Sequence, residues 1–202
     1  MLQLAWEKFE SGDYKGAEVL YLACLQQTGS ADAERYSAVL MGLVYTESFL
    51  EKYDEARRYG RRLLQEAKNA ADQHVALHQL GMVERMAGNL PEAMRLFLEE
   101  ERVICASFPD DDLRLAANLY EQAYVVFKRG ELSKAEGVMR ASLDRAAAAK
   151  DEMCMGCSFR GLGEILKAAG RADEAGACFG KAIAAFTKAG DGIAVEEIRN
   201  ML

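Results

Sequence analysis

Leu80-Gly81, followed by Gly88-Asn89-Leu90-Pro91-Glu92-Ala93 and Phe97, returns as Leu162-Gly163, Gly170-Arg171-Ala172-Asp173-Glu174-Ala175 and Phe179. The two blocks share their internal spacing while most other residues differ. Gly12-Asp13-Tyr14-Lys15-Gly16-Ala17 and Tyr21 follow the same plan. The closing alanine of each block is one of five, Ala17, Ala56, Ala93, Ala135 and Ala175, at intervals of 39, 37, 42 and 40 residues. A period of that length predicts a stacked array of one helical unit, with the core buried between neighbouring copies.

After each alanine, the residues three, four, seven and eight further on tend to be apolar, which places them on one helix face. The copies read Leu20, Tyr21, Cys24, Leu25; Tyr59, Gly60, Leu63, Leu64; Leu96, Phe97, Glu100, Glu101; Val138, Met139, Ser142, Leu143; and Cys178, Phe179, Ala182, Ile183. The third copy departs at its two glutamates. Five residues before the alanine stands Gly12, Gly88, Gly130 or Gly170, suited to a left-handed residue at a helix C-terminus. Copy two has Glu51 there, so its turn is expected to be built differently.

A second ruler, Asp32, Asp72, Asp112, Asp151 and Asp191, recurs every 39 or 40 residues. Aspartate suits helix N-termini, where it accepts orphan amide hydrogens and complements the helix dipole. The two sets of punctuation divide each unit into a first and a second helix, joined by short loops and therefore antiparallel. The expected fold is all-α: a right-handed α-solenoid of about five antiparallel helical hairpins plus a C-terminal capping helix. It is expected to form a single domain over 1–202, with repeats at 1–29, 30–70, 71–109, 110–150 and 151–190 and the cap at 191–202.

Composition agrees with a folded helical chain. Half of the 202 residues are hydrophobic, 28% are charged and only two are proline, Pro91 and Pro109. The net charge of −7 repels phosphate backbones and anionic lipid, so neither nucleic acid nor a membrane is an expected partner. No apolar run reaches the roughly 18 residues of a membrane span, and the first residues lack the pattern of a signal peptide. With five cysteines, an odd number, set inside helical patterns, the expected location is cytoplasmic.

The quoted blocks resemble the tetratricopeptide repeat family over nearly the whole chain. The resemblance implies a helical-hairpin array that binds proteins or peptides without catalysis. Units of about 40 residues are similar to those of bacterial signalling receptors for short peptides, sensor domains of transcription activators and polarity adaptors. In that family the first helices line the concave side. Mapped here, the lining is Leu2, Trp6 and Phe9; Met41, Tyr45 and Phe49; His78, Met82 and Met86; and Tyr120, Tyr124 and Phe127. Arg160, Glu164 and Lys167 close the far end. Such a face reads as a groove for an amphipathic helix or an extended peptide, with Tyr45, Tyr120 and Tyr124 as anchors. Packing of these residues against each other is the plainer alternative. The Lys and Asn clamp of the chaperone-binding members is missing, since Leu2, Trp6 and His78 stand at matching positions.

Other patterns are weaker. Cys154-Met155-Gly156-Cys157 has redox spacing in a helical context and is read as buried or half-buried thiols. His74 and His78 lie one turn apart but lack a third ligand, so no metal is expected. Arg57, Arg58, Arg61 and Arg62 form a basic stripe, either a docking patch for an acidic partner or a solvated face paired with Glu55 and Glu66. Asp110-Asp111-Asp112 reads as a helix start. No arrangement for catalysis and no cofactor motif is found. The leading expectation is a noncatalytic binding scaffold, and the alternative is a ligand-sensing regulatory domain for a signal peptide or small molecule. Finally, Met1, Leu2, Leu4, Ala5, Trp6 and Phe9 spread over more than half of the first helix. Ala194, Val195, Ile198, Met201 and Leu202 form a single stripe in the last. The first helix is therefore expected either to pair in a homodimer or to be covered by upstream sequence of a longer protein.

Overall fold

A computed structural model describes residues 1–28 and 32–201, which fold into helices joined by short connections with no strand among them. The expected boundary between the first two repeats, at 29 and 30, lies outside the described residues, as does Leu202. The helices are α1 (Leu2–Glu10), α2 (Tyr14–Gln27), α3 (Ala33–Phe49), α4 (Tyr53–Glu66), α5 (Ala70–Met86) and α6 (Leu90–Ser107). They continue as α7 (Asp112–Lys128), α8 (Leu132–Ala149), α9 (Glu152–Ala168), α10 (Ala172–Ala189) and α11 (Gly192–Arg199). The chain divides into two compact units, Met1–Val103 and Ile104–Leu202. In the first, α1 packs on α2, α2 on α3, α3 on α4 and α4 on α5; in the second, α7 packs on α8, α8 on α9, α9 on α10 and α10 on α11.

All five recurring alanines are buried. Twelve residues before each stands a first-helix residue, and four after it a second-helix residue. These pairs read Ala5 and Tyr21, Val44 and Gly60, Gly81 and Phe97, Ala123 and Met139, and Gly163 and Phe179. Four repeats place the small residue on the first helix and the large one on the second. The second repeat reverses the sizes, and the room over Gly60 is taken by Leu80 of α5, with Val44 farther away at 3.9 Å from where a side chain would start. A methyl group added to Gly163 would stand 2.5 Å from a ring carbon of Phe179, and one on Gly81 equally close to Phe97.

Helix ends follow local chemistry. Asp32, Asp151 and Asp191 cap α3, α9 and α11, each accepting a backbone N–H from the third residue on. The other two members of the aspartate ruler are not the caps. Asn69 caps α5, while Asp72, three residues in, accepts the Lys68 amide and the Asn69 side chain, a reciprocal capping arrangement. Asp111 caps α7, which frees Asp112 to meet Arg145 at 2.7 Å.

Glu51 corrects a further expectation. It has φ 59°, the left-handed conformation of Gly12, Gly88, Gly130 and Gly170. The Glu51 amide donates to the Ser48 carbonyl and the Lys52 amide to that of Glu47, the same pair of bonds that Gly12 and Asp13 make. The turn is therefore built in the same way, with a side chain where none is comfortable. Glu51→Gly is expected to stabilise the fold by about 0.5–1 kcal/mol, the relief of strain exceeding the added freedom of the unfolded chain. A thermal midpoint that falls in this variant would contradict the assignment.

Candidate functional site

Unit one gathers five aromatic residues, Trp6, Phe9, Tyr14, Tyr45 and Phe49, from α1, the start of α2 and the C-terminal part of α3. Trp6 stacks on Phe9 with centroids 5.6 Å apart, and Phe9 meets Tyr45 at 6.0 Å and Phe49 at 5.4 Å. Tyr14, which sequence reasoning did not assign to the site, stacks on Phe49 at 4.9 Å. Its position at the start of α2 hid it, because only first helices were mapped. Trp6 and Phe49 remain well exposed, while Phe9, Met41 and Tyr45 are half-buried. Helical spacing aligns Leu2 with Trp6, and Ala38, Met41 and Tyr45 with each other. Between these two rows opens a pocket of about 470 Å³, lined by Leu2, Gln3, Trp6, Tyr21, Ala38, Met41, Gly42 and Tyr45. Gly42 carries no side chain, and the ring of Tyr21 occupies the room one would need. The pocket is thus walled almost wholly by apolar groups, and the Tyr45 hydroxyl is held from outside by Gln79 at 2.9 Å.

Farther along unit one, the face turns polar. His78 Nδ1 lies 3.1 Å from Glu100, one of the two glutamates at which the third copy departs from the apolar pattern. Glu100 is buried, so it takes an apolar seat because a histidine stands opposite; His74 lies 3.7 Å away. Met82 and Met86 are half-buried on α5. No group of three metal-ligating residues occurs among the described residues.

In unit two, α7 and α9 bring Tyr120, Tyr124, Arg160 and Glu164 together. Tyr124 donates to Glu164 at 2.8 Å, Arg160 donates to the Tyr120 hydroxyl at 3.2 Å, and the two tyrosine rings lie 4.9 Å apart. Burial pushes both phenols above their ordinary range, and the neighbouring carboxylate of Glu164 adds to this at Tyr124. Phe127 flanks Tyr124 at 6.2 Å. Helix α11 closes the cluster: Glu197 pairs with Arg160 at 3.3 Å, and Lys167 donates to the Met201 carbonyl at 2.7 Å. Most of these polar groups satisfy each other, Arg160 Nε being buried without a hydrogen bond, so this half of the mapped face is structural packing more than open surface.

The basic stripe on α4 is broken up. Arg57 forms a two-pronged pair with buried Glu84 on α5, at 2.8 and 3.0 Å, and also reaches Asp54. Arg58 pairs with Glu55 and with the Tyr59 hydroxyl, and Arg62 lies over the Tyr36 ring. Only Arg58, Arg61 and Arg62 of the stripe are exposed. The cysteines are all free: Cys24 is buried, Cys154, Cys157 and Cys178 are half-buried, and Cys105 alone is exposed. Burial pushes the Cys154 thiol up to about 12 and that of Cys157 upward too, which keeps both protonated and unreactive near neutral pH.

Solved structures share this arrangement across almost the whole chain. PlcR of Bacillus thuringiensis in its apo form matches with a TM-score of 0.73 and 13% identity, over 98% of this chain and 75% of that one. TTC0263, a thermophilic TPR protein of Thermus thermophilus, matches with a TM-score of 0.68 and 22% identity, over 96% and 93%. The fold is that of the tetratricopeptide repeat. YrrB, described as a TPR protein with an unusual peptide-binding site, is more distant at a TM-score of 0.50 and 15% identity, over 98% and 90%. No protein-family model and no curated relative matches the sequence, so the tetratricopeptide assignment rests on structure and on the quoted blocks. No described helix is long and apolar enough to cross a membrane.

Proposed function

We propose that this chain is a noncatalytic peptide-binding scaffold, a single array of five repeats acting in the cytoplasm. The pocket between α1 and α3 would receive apolar side chains of an amphipathic or extended peptide. The observation that carries this reading is the pocket itself: about 470 Å³, open, and walled by Leu2, Trp6, Met41, Tyr45 and the Tyr21 ring. An apolar pocket of this size gains affinity from desolvation, while aromatic walls lose little entropy on binding. The description of YrrB as having a peptide-binding site supports the class of ligand.

Peptides selected from a displayed library against the chain test this directly. Selected sequences are expected to carry two or more large apolar residues at helical or alternate spacing. Met41→Glu should weaken their binding at least tenfold by calorimetry, about 1.4 kcal/mol, because it puts a charge into the apolar wall. Selected peptides that are uniformly acidic and insensitive to Met41→Glu would place binding on Arg58, Arg61 and Arg62 instead. A ligand-sensing regulatory role would appear as a signal peptide or small molecule that occupies the same pocket and changes the pitch of the array.

A further inference from the structure

The alanine register allows each first helix to be compared with the others residue by residue. Met1 and Leu4 of α1 correspond to Leu40 and Leu43 of α3, and to Leu77 and Leu80 of α5. All four leucines are buried. In α5 the cover is the second helix of the preceding hairpin: Leu64 of α4 packs on the cluster of Leu77 and Leu80, and Leu80 also lies against Gly60 of α4. On α1 the same two positions are open, with Met1 52% and Leu4 48% exposed. They point away from the pocket, lying about 140–160° around the helix from Trp6. The face is therefore a helix-stacking surface of the kind that joins α4 to α5.

The charges of α1 indicate what covers it. Its N-terminus has no side-chain cap and no acidic residue in the first turn, so α1 itself supplies nothing to complement the positive end of its dipole. Its last turns carry Glu7 and Glu10, beside the negative end of the dipole, and Lys8 is turned toward Asp13 at 2.9 Å. A second α1 laid antiparallel supplies what each end lacks, and twofold symmetry makes the exchange mutual. We propose that two copies of this chain pair through α1, antiparallel, each covering Met1 and Leu4 of the other. The Lys8 stem completes the apolar strip while its ammonium stays with Asp13.

Sedimentation equilibrium of the 202-residue chain, from low micromolar to several hundred micromolar, tests the pairing. The average mass should climb toward twice that of the chain. Leu4→Glu should raise the dissociation constant at least tenfold with an unchanged circular dichroism spectrum, and the milder Leu4→Ser should shift it in the same direction. Trp6→Ala should leave pairing intact, which separates this surface from the pocket. A wild-type chain that stays monomeric throughout, or a dimer indifferent to both Leu4 variants, would overturn the proposal.

Discussion

Phe179→Ala should cost about 3–5 kcal/mol of folding stability, the largest effect of any substitution considered for this chain. The ring is buried on α10 and fills the space over Gly163 on α9, so truncation opens a cavity that the backbone of α9 cannot close. Gly163→Val on its own should also destabilise, by about 1–3 kcal/mol, since its first carbon would collide with the same ring. The two changes together should cost less than their sum by about 1 kcal/mol or more, because each makes room for the other. Chemical denaturation of the two single variants and the double variant measures the coupling. Strict additivity would mean that the two residues are not packing partners and that the alanine register is misplaced.

The second large effect is expected at Arg57. Arg57→Ala strips buried Glu84 of its cationic partner, leaving the Asn89 side chain at 3.0 Å, and should cost about 2–4 kcal/mol. Removing the charge on both sides, with Arg57→Met and Glu84→Leu, should recover most of that loss, since it is the unpaired carboxylate that is costly. An unchanged unfolding midpoint for Arg57→Ala would show the pair to be a solvated contact. The expectation also has a practical consequence: loss of binding in an Arg57 variant would report unfolding, and the docking alternative has to be tested at Arg58, Arg61 and Arg62.

Much of the fold was legible because the repeat imposes strict local demands. The five alanines are all buried, and the four glycines stand where a left-handed turn is needed. Glu51 was not legible, because in that turn the packing of α3 on α4 overrides the preference of the residue itself. Asn69 and Asp111 were missed as caps because the aspartate spacing is a property of whole repeats, while capping is decided by the one residue whose side chain reaches the third amide. The site was legible in part. Trp6, Met41 and Tyr45 fell together as expected, whereas Tyr14 came from a second helix. Tyr120 and Tyr124 were expected as free anchors. Their hydroxyls find partners 40 residues away, on the next first helix, and a pattern of apolar spacing carries no trace of such bonds.

Trp6 offers the most direct measurement, since it is the only tryptophan and lines the proposed pocket. A library-selected peptide titrated into the wild-type chain should move Trp6 emission to shorter wavelength in step with the binding measured by calorimetry. The shift and the binding should weaken together in Tyr45→Ala and persist in Arg58→Ala. Saturation by peptide with no change in Trp6 emission, or binding lost in Arg58→Ala and kept in Tyr45→Ala, would contradict the assignment of this pocket as the peptide site.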